Sequence, residues 1–551
     1  MPARDGAVPA TAAALAANHA EFRALLDRGY QLLEAGRLAE AALHAELAAV
    51  CAAHRHCGLF VSPELERLLA QIGLALPPLR RARDEGRHGS PAEPRQVLHV
   101  MTYATAVGGM ESMLRRWLRY DLGRSHSVAL TRQLRYPVPP WLQVAVAAGT
   151  GRIHRLNAAP GGLLRWAAGL RSLAQGFDLV VLHLWNDDIV PTIAFADPQQ
   201  SPPILLVDHN DHEFWPNAGI GTMLASLRGS GRRLALERRG IPEDRTCLLP
   251  TIVEPRRRRH PRAAAKRALG IPDEAILLLS VARSAKFATF QGRTFLDAHM
   301  ATLRAHPRAH LLIVGAGDRA DWRAAIAAMD GRIRSLPEQR DVALPFEAAD
   351  IYVDAYPFVS ITSLLEAGLY GVPLVSRSVV SQASEIFWAD APGLEEVLLR
   401  ASSVEEYGAI LSRLIADPEG RAALGVATAA RIARLHSPEA WRRQLDDVYR
   451  RCLATPRRPM PDGARDRIGL DEPDIWVPSI HGRDIQLRHE YLKRLRALPL
   501  PASAACLMEL LRQRRVDWRS VATHAPLLVP EWLACRFFRR FPRAASIARW
   551  T

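Results

Sequence analysis

The stretch YPFVSITSLLEAGLYGVPLVS, residues 356–376, sets Ser360, Thr362 and Ser363 at the start of an apolar helix, with one acid, Glu366, a turn later. Hydroxyls there can accept from the free N–H groups of a first helical turn, and an early Glu suits the positive end of the helix dipole. The same N–H groups and hydroxyls can instead hold an anion, leaving Glu366 to accept from the two hydroxyls of a ribose. Upstream, SVARSAKF puts Arg283 and Lys286 directly after an apolar run, where two cations can neutralise a diphosphate. The structural alternative for that loop is a solvated turn. TYATAVGGMESMLRR places Gly108 and Gly109 ahead of a helix, where a backbone without side chains can approach a ligand closely. Neither the dinucleotide glycine spacing nor a phosphate-loop lysine motif is present.

VDHNDHEFW, residues 207–215, brings His209, Asp211 and His212 behind another apolar run. A neutral imidazole can donate to a sugar hydroxyl, and Asp211 can take a proton or orient a neighbour. His-x-Asp-His suits a metal only with a third, remote ligand, which the sequence does not point out. An Asx-type turn with surface histidines is the structural alternative. The acids of WNDD and DEPD lack Asp-x-Asp spacing, so no metal is expected at the site, and charge developing on a leaving group falls to Arg283, Lys286 and the helix dipole.

Strands and helices in alternation must position these loops. QVLHVMTY, HSVALTRQ, FDLVVLHLW and PPILLVDHN read as strands, with helices at MESMLRRWLRYDL and GGLLRWAAGLRSLAQ. The alternation restarts after EPRRRRHPRAAAKRALGIPDE with AILLLSVAR, RAHLLIVGAGD, GRIRSLPE, ADIYVDAY and VPLVSRS. Apolar strands between amphipathic helices indicate parallel sheets covered on both faces, with ligands at the C-terminal strand ends. The predicted fold is therefore α/β: two Rossmann-like, doubly wound domains with a cleft between them. Their spans are 96–255 and 256–455, the second closed by SPEAWRRQLDDVYRRCL. A helical extension, 1–80, precedes them, its first two helices broken at Gly36, and 81–95 is a linker. That hairpin has tetratricopeptide character without a second copy, so it is read as a packed cap. Residues 456–551 form a linker and a basic, mostly helical tail.

The bulk numbers suit a soluble globular chain: 551 residues, 48% hydrophobic and 23% charged. No secretory signal or membrane span is evident, and the six cysteines lack metal or disulfide spacing, so a reducing cytoplasm is expected. The net charge of +15 rests almost wholly on arginine, with lysine only at 266, 286 and 493. No zinc spacing, RNP-like strand or recognition helix points to nucleic acid. In EWLACRFFRRFPRAASIARW, residues 531–550, Trp532, Phe537, Phe538, Phe541 and Trp550 alternate with arginines, which suits peripheral contact with an anionic membrane or a tail packed on the protein.

On HVMTY…VGGME, FDLVVLHLW, SVAR, HLLIVGAGD and ADIYVDAYPF…SLLEAGLYGVPLV, residues 96–453 resemble the nucleotide-sugar glycosyltransferases of GT-B fold, nearest the large retaining bacterial polysaccharide family. The resemblance implies that Glu366 holds the donor ribose, that Arg283 and Lys286 hold the diphosphate, and that the Gly108–Gly109 loop closes over the sugar. Thr362 and Ser363 join the donor set, and His209 contacts the donor sugar. Phe358 stands where the family carries a Glu eight positions before the ribose-binding one. With TSLLEA, that departure also resembles O-linked N-acetylglucosamine transferase and its bacterial relatives, leaving retention and inversion both open. The expected activity is metal-independent transfer from a UDP- or GDP-sugar to a glycan, lipid-linked or protein acceptor. Its rivals are a nucleotide-sugar epimerase on the same scaffold and a non-catalytic adaptor.

Overall fold

The computed structural model describes residues 4–78, 93–134, 137–378, 380–457, 464–482 and 485–540. Most of the linker expected at 81–95, much of that after 456 and the tail beyond 540 lie outside them. The chain divides into two compact units. The first comprises Met1–Ser226, Gly231–Leu248 and Leu445–Thr551, the second Leu227–Ser230 and Leu249–Gln444.

In the first unit seven parallel strands are ordered β3-β2-β1-β4-β5-β6-β7. They are β1 Gln96–Met101, β2 Ser125–Leu130, β3 Ile153–Arg155, β4 Leu179–His183, β5 Ile204–Asp208, β6 Met223–Ser226 and β7 Thr246–Leu248. The second unit has six parallel strands ordered β10-β9-β8-β11-β12-β13. These are β8 Ile276–Val281, β9 Ala309–Val314, β10 Ile333–Leu336, β11 Ile351–Val353, β12 Leu374–Arg377 and β13 Leu398–Ala401. Every strand read from the sequence is present. β3, β6, β7 and β13, none longer than four residues, are additional.

The N-terminal helices Arg4–Glu34, Leu38–His54 and Pro63–Leu74 belong to the first unit's core. Gly36, at φ +72°, makes the turn between the first two. Phe22, Leu26, Leu43, Leu47 and Leu68 share one apolar cluster with Leu98 and Val180 of the sheet. Leu492, Leu495 and Leu510 of the C-terminal extension enter the same cluster, so both extensions cover the sheet. The helix Pro438–Ala454, read as closing the second half, crosses the division, and its latter half packs in the first unit. There Tyr449 OH accepts from Trp117 Nε1 at 2.8 Å and donates to Asp121 Oδ2 at 3.1 Å. Among the described residues no helix is long and apolar enough to cross a membrane.

One ionic cluster joins these layers. Arg132, just past β2, pairs with Glu46 of the second helix and with Glu531 at the start of the helix Glu531–Arg540. Asn157 Nδ2 donates to Glu531 Oε2 at 3.1 Å, and Arg494 of the extension reaches Asp187 after β4 at 2.8 Å and Glu46 at 3.4 Å. Glu46 and Glu531 are wholly buried. Removing one partner of such a pair strands a buried charge. Arg132→Ala, which strips a partner from two carboxylates, should lower stability by ~3–5 kcal/mol in urea unfolding. An unchanged unfolding midpoint would show that the cluster does not hold the layers together.

Candidate functional site

In the second unit, the loop after β11 and the helix Ile361–Leu369 carry several of the candidate donor-binding residues. Asp354 is buried, and its Oδ1 accepts from the backbone N–H groups of Ala355 at 2.8 Å and Ser360 at 2.9 Å, which shapes the loop into the helix. Burial raises its carboxyl to about 6. Ser360 occupies the N-cap position without a side-chain capping bond; its Oγ donates to Ser363 Oγ at 3.2 Å instead. The hydroxyls therefore bond one another rather than the first turn's N–H groups. That turn keeps its capacity to bind an anion. Thr362, Ser363 and Glu366 are half-buried on this helix.

Lys286 joins the same loop from β8. Its Nζ donates to Val359 O at 2.7 Å and lies 4.4 Å from the centre of the Phe358 ring. Burial lowers the ammonium to about 8, against the attraction of Asp354. Phe358 thus offers a cation–π face where a carboxylate would neutralise the lysine. Arg283 is exposed, 3.9 Å from Glu338, on the strand side of the loop. Gly315, at φ +103°, lets the β9 end approach β8: a Cβ there would lie 2.1 Å from Ala282 O.

In the first unit, Glu111 ties back the glycine loop by accepting from Thr105 N at 3.1 Å and from its hydroxyl at 2.5 Å. A Cβ at Gly108 would lie 1.9 Å from Glu111 Oε2, whereas at Gly109 it would meet nothing within 4 Å. Gly108 serves the packing, and Gly109 presents open backbone.

His209 ends a file of four imidazoles. His183 Nδ1 lies 2.9 Å from His209 Nε2, His99 Nδ1 3.0 Å from His183 Nε2, and His126 Nδ1 3.0 Å from His99 Nε2. His126 Nε2 faces two pure acceptors, Asp121 O at 2.9 Å and Asp121 Oδ2 at 3.4 Å, so it carries hydrogen. A file in which each ring carries a single N–H donates toward Asp121 throughout. Burial holds His99 and His183 well below the ordinary imidazole value and lowers His209 to about 4. In that direction His209 gives its Nε2–H to His183 and presents a bare Nδ1 that can accept a hydrogen bond. Asp211 follows two residues on. Its Oδ1 lies 3.1 Å from His212 Nδ1, and Arg239 Nη2 donates to its carbonyl at 2.8 Å.

Residues 277–417 match the family model for glycosyl transferases group 1. The D-inositol 3-phosphate glycosyltransferase of Thermobispora bispora is 28% identical over 240 residues, 40% of this chain and 54% of that protein. The chain thus spans about half the length of this curated relative. The solved glycosyltransferase of Rickettsia africae ESF-5 superposes with TM-score 0.50 at 11% identity, over 66% of this chain and all of that one. A mutant of the O-GlcNAc transferase of Thermobaculum terrenum aligns over 78% of this chain and 84% of its own, at 16% identity and TM-score 0.47. The matched residues lie in the second unit, which is similar there to group 1 glycosyl transferases. The two parallel sheets are those of a GT-B fold.

In the second unit Lys286, Thr362, Ser363 and Glu366 lie about one loop and helix start. Gly108, Gly109, His209 and Asp211 lie in the first unit. Sequence reasoning missed Asp121, His99, His126, His183, Asp354 and the Lys286–Phe358 contact. The one available signal was a histidine inside each of the apolar strands QVLHVM, SHSVAL and LVVLH. At neutral pH, nitrogen-15 NMR should show His209 as the Nε2–H tautomer, and His183→Gln should abolish that preference. An Nδ1–H signal in the unaltered protein would contradict the file's direction.

Proposed function

We propose that this chain moves a sugar from a nucleoside diphosphate donor, a UDP- or GDP-sugar, to a glycan, lipid-linked or protein acceptor, without a metal at the diphosphate. One observation carries the reading: the Lys286 ammonium and the side-chain-uncapped start of the Ile361–Leu369 helix converge on the same loop, with Glu366 one turn along. The match of residues 277–417 to group 1 glycosyltransferases supports it, as does the sugar-transferring relative.

In this reading Lys286, Arg283 and the helix N–H groups take the diphosphate charge that grows as the glycosidic bond breaks, a preorganised electrostatic stabilisation. Glu366 accepts from the ribose hydroxyls, and Thr362 and Ser363 bond phosphate oxygens. Gly109 lets backbone approach the sugar. His209, with its bare Nδ1, takes the proton of the acceptor hydroxyl or accepts a hydrogen bond from a sugar hydroxyl; these two uses correspond to inversion and retention.

Calorimetry with nucleoside diphosphate and free nucleoside tests the donor set. Glu366→Ala should weaken both by ~1–3 kcal/mol, and Lys286→Ala only the phosphorylated ligand. A lysine lowered to about 8 keeps its charge below that pH and loses it as pH rises. Diphosphate affinity should therefore fall above about pH 8, with the nucleoside unaffected and Lys286→Arg flattening the profile. Equal effects of the two alanine variants on nucleoside would remove the division of roles. In turnover assays, His209→Ala should cost ~10²–10⁴-fold while nucleotide affinity holds. Asp211→Asn should cost less, because Asp211 acts on His212. Full turnover in folded His209→Ala would exclude His209 from the chemistry.

A further inference from the structure

The loop after β5 holds more polar chemistry than sugar transfer uses. His212 and Glu213 lie beside His481, the last residue of the helix Glu472–His481, and a ligand atom from each is within 4.8 Å of the others. His481 is the remote partner that the histidine-rich loop lacks in sequence. The His212 and His481 ring centroids are 4.0 Å apart, and His212 Nε2 is 3.6 Å from Glu213 Oε1. Ligands held about 2.0–2.1 Å from a tetrahedral ion are about 3.3 Å apart. The His212–Glu213 edge is close to that spacing, and ring rotations of about 1.5 Å or less close the rest.

The surroundings orient these groups. Asp211 is buried, and its carboxylate holds His212 Nδ1, which turns Nε2 toward Glu213. A carboxylate behind an imidazole fixes the tautomer of a metal-binding histidine and raises its basicity. Arg239 Nη2 clamps the loop by donating to the carbonyls of Asp211 at 2.8 Å and Glu213 at 2.7 Å, and its guanidinium lies 3.6 Å from the Trp215 ring centre. The helix bearing His481 is anchored at its other end. There buried Asp474 accepts from Arg238 at 2.8 and 2.9 Å and lies 2.8 Å from His56 Nε2.

We propose that His212, Glu213 and His481 bind one divalent transition-metal ion of the zinc class, with Asp211 as the outer hydrogen-bond partner and a fourth position for water. Two imidazoles and one carboxylate select such an ion over magnesium or calcium, which prefer all-oxygen sites. The ion cross-links the β5 loop to the C-terminal extension and stabilises the folded state by its binding energy. None of the residues assigned to the donor takes part, and the inference does not rest on the transfer reading. The competing occupant is a proton: Asp211 and Glu213 raise the His212 imidazole against the opposing effect of burial.

The full chain, free of any histidine tag, would be loaded with Zn²⁺, passed over chelating resin and assayed by plasma mass spectrometry. One zinc per chain is expected. His481→Gln should lose it, and Asp211→Asn should bind it about 10–100-fold more weakly. Zinc should raise the unfolding temperature of the unaltered chain but not of His481→Gln. If that variant does not fold, Co²⁺ added to the unaltered chain decides, since a tetrahedral nitrogen–oxygen site gives intense visible bands. Zinc-free unaltered protein, equal zinc retention by folded His481→Gln, or a cobalt spectrum of the hydrated ion would each overturn the site.

Discussion

Both sheets are parallel, and their central strands are buried along nearly their whole length, so a polar side chain finds room chiefly where a strand ends. Nearly all the chemistry obeys that constraint. The glycine loop follows β1, Asp187 and Asp188 follow β4, and His209 to Glu213 follow β5. Arg283 and Lys286 follow β8, and Asp354 follows β11. Rigid strands thus set the positions of loops that have little regular structure of their own.

The exceptions are polar groups that satisfy one another. An imidazole in the middle of β1 would be costly without partners, yet His99 has one ring on either side. The file gives three buried histidines a structural reason to exist and places Nε2 of the fourth against His183. The Arg132 cluster works similarly between layers. Its charges come from the N-terminal helices, the sheet and both parts of the C-terminal extension, so these segments are integral to the first unit. Asp188 follows the same pattern: buried under the hydroxyls of Thr102 at 2.8 Å and Thr131 at 2.5 Å, it serves the scaffold.

In the second unit the balance is different. Lys286 is half-buried, with its ammonium on the Val359 carbonyl and beside the Phe358 ring. Ser360 leaves the first turn uncapped by its hydroxyl. Both arrangements leave positive potential unspent within one loop, in surroundings where charge is poorly screened. That is a poor arrangement for stability alone and a suitable one for a bound diphosphate.

The amino-acid sequence by itself determined the alternation of strands and helices, the helical character of both ends and the loops where chemistry sits, because these follow from local periodicity and from which residue types precede a helix. It did not reveal the short strands β3, β6, β7 or β13. Nor did it show partners. His209 meets His183 across two strands, Asp211 serves His212 beside His481, and Lys286 lies against Phe358. Each pair except Asp211–His212 is separated by tens to hundreds of residues. Such pairs exist only once strand order and register have formed, and a hydrogen bond is sensitive to displacements that leave the apolar pattern unchanged. Residue types and loops were therefore legible in advance, while tautomers, ion pairs and the remote histidine were decided by the tertiary structure.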